Sequence, residues 1–291
     1  MRHHAGRHSR YRAPDPRHRA EGGERLIGPG PALAVPAEPG PAAGDLPHAP
    51  ESPAPLPAGT LFVVATPIGN LEDITLRALR VLRGVDLVAA EDTRRTRSLL
   101  EAYGVRAPVV SYFEQNQARR GPELLRRLQT GARIALVTDA GTPGVSDPGF
   151  RLVRLCREAD VPVVPIPGAS AVVAALSAAG VPGDRFVFEG FLPPKPGRRL
   201  TRLRALHALD RPVVLYESPY RVLATLEAIE AVFGDAEVVL AREVTKRFEE
   251  FRRGTAAALR AALRTSAIRG EVTLIVNPRG PVPPAPSALA D

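Results

Sequence analysis

Residues 133–149, RIALVTDAGTPGVSDPG, decide the fold. Ile134 to Val137 is an unbroken apolar run, the pattern of a strand covered on both faces. It runs into Asp139, Ala140, Gly141, Thr142 and Pro143, a loop of small residues and turn formers at the strand's carboxyl end. In open α/β sheets ligands bind at such ends, where loops diverge and the backbone can approach a small molecule closely. Gly141 and Gly144 permit that approach, Pro143 and Pro148 stiffen the loop, and Asp139 projects a carboxylate into it. Taken alone, the segment reads equally well as an ordinary strand-to-helix turn.

Its surroundings alternate strand and helix from Thr60 onward. Leu61 to Thr66 (LFVVAT) reads as a first strand, followed by the loop PIGN. A helix then begins near Asp73, its expected N-cap, with Ile74, Leu76, Leu79 and Leu82 as apolar positions. Val85 to Ala90 is a second strand, ending in Glu91, Asp92, Thr93, Arg94 and Arg95, with a helix to about Tyr103. Val109 to Phe113 is a third strand and Ala118 to Gln129 a helix; after the central strand come a helix over Pro148 to Ala159 and a strand over Val161 to Ile166. Such alternation gives a mostly parallel sheet with right-handed crossovers. Three Gly- or Pro-rich loops, at TPIGN, DAGTPGVSDP and PGAS, should therefore converge on one edge. None matches the dinucleotide or P-loop fingerprint, so NAD and ATP lose support.

A small-residue helix, Ala171 to Ala179, leads through Gly180 and Pro182 into a second domain. Strands recur at Phe186 to Phe191, Val213 to Tyr216, Val238 to Ala241, Phe248 to Arg252 and Val272 to Val276, with helices near 199–209, 221–233 and 256–265. The two successive strands at 238 and 248 predict a hairpin and hence a mixed sheet. The division is then a tail over 1–57, a first domain over 58–170, a second over 171–280 and a short tail over 281–291.

Residues 1–57 hold 12 of the 31 prolines, 7 of the 25 glycines and five of the six histidines without apolar periodicity, and read as a disordered tail. They lack the apolar core of a secretion signal. Met1 is the only methionine, so a start at a non-Met codon nearer Gly59 is also open. The apolar runs are strand-length, well short of the roughly 18 residues of a spanning helix, and no membrane partner is expected. The single cysteine, Cys156, favours a reducing cytoplasm and reads as a small core residue. No metal site is expected.

The net charge is +8, and removing the 7 Lys+Arg and 6 Asp+Glu of residues 1–57 leaves 32 against 25, so the folded part is the basic part. A basic globular surface points to an anionic partner, nucleic acid first. Lysine occurs only at Lys195 and Lys246, however, so general replacement of Lys by Arg explains part of the pattern.

Seven motifs, in order, carry a specific resemblance: TPIGNLEDIT (66–75), AAEDTRRT (89–96), DAGTPGVSDPG (139–149), PGASA (167–171), GFLPPKPGRR (190–199), YESPYR (216–221) and AREVTK (241–246). Together, over about residues 60–278, the chain resembles the RsmI family. Its members use S-adenosylmethionine to 2′-O-methylate a cytidine of the 16S ribosomal RNA, within the tetrapyrrole methylase fold. The resemblance implies a two-domain α/β protein, a homodimer with the cofactor in the interdomain cleft, acting in the cytoplasm on the assembled small ribosomal subunit. By matching position the cofactor residues are Pro67, Ile68, Gly69 and Asn70; Asp139, Ala140, Gly141, Thr142, Pro143 and Ser146; Pro167, Gly168, Ala169 and Ser170; and, from the second domain, Tyr216, Glu217, Ala241, Arg242 and Glu243. Ala169 stands where the family usually has Pro, Tyr220 where it has His, and the long tail has no counterpart.

Methyl transfer to a ribose hydroxyl is an in-line displacement, so the site must align three atoms and remove one proton. Glu91, Asp92, Glu217 and Glu243 each follow a strand at the expected cleft edge and are candidate bases; each is also able to serve a structural ion pair. Glu91 or Asp92 is favoured, because AAEDTRRT sets acids beside cations able to hold adjoining phosphates. For RNA contact the candidates are Lys195, Arg198 and Arg199 on the PPKPGRR loop, with Arg94, Arg95, Arg221, Lys246 and Arg247. A tetrapyrrole C-methyltransferase of the same fold and a non-catalytic RNA-binding protein are the rival readings.

Overall fold

The computed structural model describes residues 54–264 and 268–280. Ile134–Val137 is a strand with all four residues buried, and it occupies the middle of the first sheet. With β1 (Leu61–Val64), β2 (Leu87–Ala90), β3 (Val109–Ser111), this central strand as β4, and β5 (Val163–Ile166), the order is β3-β2-β4-β1-β5. All four pairings are parallel, as the strand–helix alternation requires. The connecting helices are α1 (Leu76–Gly84), α2 (Thr93–Ala102), α3 (Gln117–Gln129) and α4 (Phe150–Glu158).

Burial on both faces explains why β4 reads as continuous apolar sequence. Ala135 and Val137 join Phe62, Val64, Val81 and Leu82 in one core, while Ile134 and Leu136 join Leu61, Leu124, Leu128 and Cys156 in another. Cys156 is fully buried, and burial pushes its thiol up to about 11, which suits a packing residue.

The second sheet comprises β6 (Val187–Phe191), β7 (Val213–Glu217), β8 (Glu237–Arg242), β9 (Glu250–Thr255) and β10 (Val272–Asn277) in the order β6-β7-β10-β8-β9. Only β6 and β7 pair in parallel, so the sheet is mixed. Helices α6 (Pro196–His207), α7 (Val222–Phe233) and α8 (Ala256–Leu263), numbered to follow α5 (Ala171–Ala178), share one core with the sheet. On the opposite face Val214, Val239, Ala241 and Ile275 meet α5 and Ile68. An apolar helix laid between a sheet and a loop of the other unit accounts for the small-residue composition of α5.

Several local expectations differ from the structure. Asp73 does not cap the first helix: it closes a short 3₁₀ turn, Leu71–Asp73, capped by Asn70, and Thr75 caps α1 by accepting from the Ala78 amide at 3.1 Å. The extended backbone at Ile74 separates the two. Helix α6 begins at Pro196, earlier than 199, because proline at a first helical position loses no hydrogen bond. The last four residues of PPKPGRR are thus helix rather than loop. The hairpin strand starts at Glu250 instead of Phe248, after a turn in which Glu243 and Thr245 have positive φ. Leu56 already packs against the first core, so ordered packing begins before residue 58. The remainder of the N-terminal tail and the segment 281–291 lie outside the described residues.

Candidate active site

Because β4, β1 and β5 are neighbours, their carboxyl-end loops meet, as the sequence predicts. Thr66 and Gly141 exchange backbone hydrogen bonds of 2.9 and 3.1 Å, and Ala65 donates to the Ile166 carbonyl at 3.1 Å. Gly141 has φ 80, a conformation that favours glycine, and a Cβ on Gly168 would stand 3.0 Å from the Ala65 side chain. Glycine is required at one loop for its turn and at the other for close approach.

A cavity of about 240 Å³ opens between these loops and the second sheet. Of the expected cofactor residues, Ile68, Ala140, Gly141, Thr142, Ser146, Ser170, Tyr216 and Glu217 line it. Pro67, Gly69, Asn70, Asp139, Pro143, Pro167, Gly168 and Ala169 support or flank the lining loops without entering the wall. Ala241, Arg242 and Glu243 do not reach it. Ala241 is buried in the core, Arg242 pairs with Glu250 at 3.0 Å, and Glu243 pairs with Lys246 at 2.9 Å. Burial opposes ionisation of Glu243, but the Glu271 amide and Lys246 hold its carboxyl below the ordinary range.

The wall expected from the end of β8 comes instead from the start of β10: Glu271, Val272 and Thr273. Strand β10 runs antiparallel to its neighbours, with Val272 opposite both Glu217 and Arg242. Its amino end therefore lies beside their carboxyl ends, and a rule that looks only after strands passes over it. Phe191, Val145 and Asp147 complete the apolar and acidic lining.

The two acids after β2 serve the Asp139 loop. Asp139 accepts from the Asp92 amide at 3.1 Å and from Arg95 at 3.1 Å, and its own amide donates to Glu91 at 3.4 Å. Asp92 caps α2, accepting from the amides of Arg94 and Arg95. Bonds from the Arg94 side chain and amide hold the Asp92 carboxyl below the usual range, which makes it a poor base. Burial raises Glu91, but neither residue lines the cavity. Asp147 differs: burial, together with the charges of Glu91 and Asp139, pushes its carboxyl up to about 7. Glu217 is committed to structure, accepting from Thr225 at 2.6 Å and from the Ser218 amide at 2.8 Å, with Arg221 at 3.3 Å.

Among the expected RNA contacts, Arg94, Arg95, Lys195, Arg198 and Arg247 are exposed. Arg199 is a correction: it is only 5% exposed and donates to the buried Thr225 hydroxyl at 3.2 Å, since its position in α6 faces the core. Lys246 is another, held at 2.9 Å by both Glu243 and Glu271 beneath Gly69. Arg221 is occupied by Glu217 and by the Leu192 carbonyl at 2.7 Å. Tyr220, by contrast, is 95% exposed. Arg94 and Arg95 line an open cleft of about 590 Å³ together with Asp92 and Asp139.

The composition of the cavity fits S-adenosylmethionine. Ile68, Val145, Phe191 and Tyr216 offer apolar surface to a purine, Glu271 offers negative charge to cationic groups, and the amino end of α5 at Ser170 and Ala171 suits a carboxylate.

Two sheets meeting at such a cavity define a class of methylases: residues 60–260 match the tetrapyrrole (corrin/porphyrin) methylases. Cobalt precorrin-4 methyltransferase has the same fold, with a TM-score of 0.58 at 20% identity over 75% of this chain and 95% of its own. Uroporphyrin-III C-methyltransferase from Thermus thermophilus, complexed with S-adenyl homocysteine, gives a TM-score of 0.53 at 18% identity over 75% and 96%. The ribosomal RNA small subunit methyltransferase I of Mesorhizobium japonicum is 51% identical over 222 residues, 75% of either chain. Within the tetrapyrrole methylases, this chain belongs to the ribosomal RNA small subunit methyltransferase I family.

Proposed function

We propose that this chain methylates the 2′-hydroxyl of a cytidine in 16S ribosomal RNA, within the assembled small subunit, using S-adenosylmethionine held in the interdomain cavity. The observation that carries this reading is the 51% identity to a relative bearing the small-subunit methyltransferase name, joined to a cavity whose lining suits the cofactor. When bound, the cofactor supplies a methyl group activated by a positive sulfur.

The protein's own work is binding and orientation. The domains 58–170 and 171–280 hold opposite walls of the cavity, with the loops after β1, β4 and β5 on one side and Phe191, Tyr216 and Thr273 on the other. Glu91 and Asp92 act as positioning residues: they fix the Asp139 loop through its backbone and carboxylate. Arg94, Arg95, Lys195, Arg198 and Arg247 meet RNA phosphates, where exposed cations contribute affinity without sequence choice. The chain works as a homodimer in the cytoplasm.

The test is labelled-methyl transfer from S-adenosylmethionine to purified small subunits, large subunits and a porphyrinoid, in parallel. Label confined to small subunits is expected. Label on the porphyrinoid, or on none of the three, overturns the reading.

A further inference from the structure

The cavity is separated from an outer hollow by one short segment. Ser146 and Asp147 line the interdomain cavity and also an open hollow of about 470 Å³, whose other walls include Glu114, Gln117, Phe150 and Arg151. The larger cleft at Arg94 and Arg95 shares no lining residue with the cavity. An acceptor must touch the cofactor's reactive end while the rest of it lies outside, and a shared wall is where that is possible.

Three features of the hollow suit a nucleotide. Phe150, the first residue of α4, is 64% exposed, an aromatic face left free at the rim. Arg151 beside it is exposed and cationic. Asp147 is half-buried, and among the described residues it makes no hydrogen bond or ion pair. Ser146 has φ 61, unusual for a residue other than glycine, at the turn between the two hollows.

We propose that this hollow receives the acceptor nucleotide, unstacked from its strand, with the base on Phe150, a phosphate at Arg151 and the ribose hydroxyl at Asp147, which takes the proton. This rests on the reading of the chain as a ribosomal RNA 2′-O-methyltransferase. The hydroxyl oxygen bonds to the methyl carbon as the carbon–sulfur bond breaks; that electron pair stays on sulfur, cancelling its positive charge. The hydroxyl proton goes to the Asp147 carboxylate and leaves through the open hollow. The titratable and charged groups around Asp147 are Glu91 after β2, Asp139 after β4, Tyr216 and Glu217 on β7, Glu271 before β10, and Glu114 and Arg151 at the rim. A carboxyl raised to about 7 by burial and by the first two of these is matched to accepting a proton near neutral pH.

The test uses the full chain. Asp147→Asn should lower turnover on small subunits about a hundredfold, abolish the rise of activity with pH near 7, and leave S-adenosylmethionine affinity by calorimetry within a few-fold. A cofactor loss as large as the turnover loss makes Asp147 a cofactor ligand and overturns the proton role; unchanged turnover and pH profile do so as well. The chain has no tryptophan, so Phe150→Trp installs a single reporter. Its emission should be quenched by single-stranded oligocytidylate as the base stacks on it. Constant emission while a mobility shift shows the oligonucleotide bound, or no binding at all, overturns the nucleotide assignment. Wild-type protein that labels no small subunits fails the underlying reading instead; wild-type labelling with both variants unaffected fails this inference alone.

Discussion

At the residue scale, the acid that distinguishes the site is Asp147, and its environment has a consequence for stability. A carboxyl raised from 3.8 to about 7 binds a proton more tightly in the folded than in the unfolded chain. Its contribution is therefore fully present below the unfolded value and lost as pH rises through about 7. Relative to Asp147→Asn, the wild-type Tm should fall between pH 5 and pH 8; parallel Tm curves for the two proteins would contradict the assigned environment. Thr225 is fully buried and links Arg199 to Glu217. Thr225→Val leaves a buried carboxylate one donor short and should cost about 1–3 kcal/mol, with Thr225→Ser close to wild type; equal denaturation midpoints for all three would refute the network. Asp139 was legible in the sequence because it stands two residues after an apolar strand. Asp147 was not: it reads as the flank of Pro148, and only the fold of the loop brings it between two hollows.

At the element scale, the parallel sheet was legible because burial on both faces writes itself as unbroken apolar runs. The three loops at its carboxyl edge were found for the same reason. What the pattern did not carry was β10, whose antiparallel course brings its amino end to the cavity. Nor did it carry the irregularity of β6, where the register shifts between Phe188 and Gly190. Gly190 has φ 72, and a Cβ there would meet the Ser146 hydroxyl at 2.7 Å. Gly190→Ala is strained by that φ and has to displace the Ser146 hydroxyl from the cavity wall, so it should weaken S-adenosylmethionine binding about tenfold. Calorimetry checks this, and wild-type affinity in the variant would show that the contact does not shape the cavity.

At the scale of the whole molecule, the charge excess divides into two kinds. Arg133, Arg202, Arg242 and Arg253 pair with carboxylates, so much of the arginine content holds the fold. Lys195, Arg198 and Arg247 are exposed, and no carboxylate pairs with them among the described residues. Composition alone could not separate these kinds, since paired and free arginines look alike in sequence; Arg199, predicted as a surface cation, proved to be buried. Charge reversal at Lys195 and Arg198 should weaken subunit binding and flatten its dependence on salt by about one unit of log–log slope per lost phosphate contact. The unaltered slope would assign them to solvent. After transfer to small subunits from a strain lacking the gene for this chain, nucleoside analysis of the labelled RNA should yield 2′-O-methylcytidine alone, whereas label on a base, or on the ribose of another nucleoside, would contradict the account.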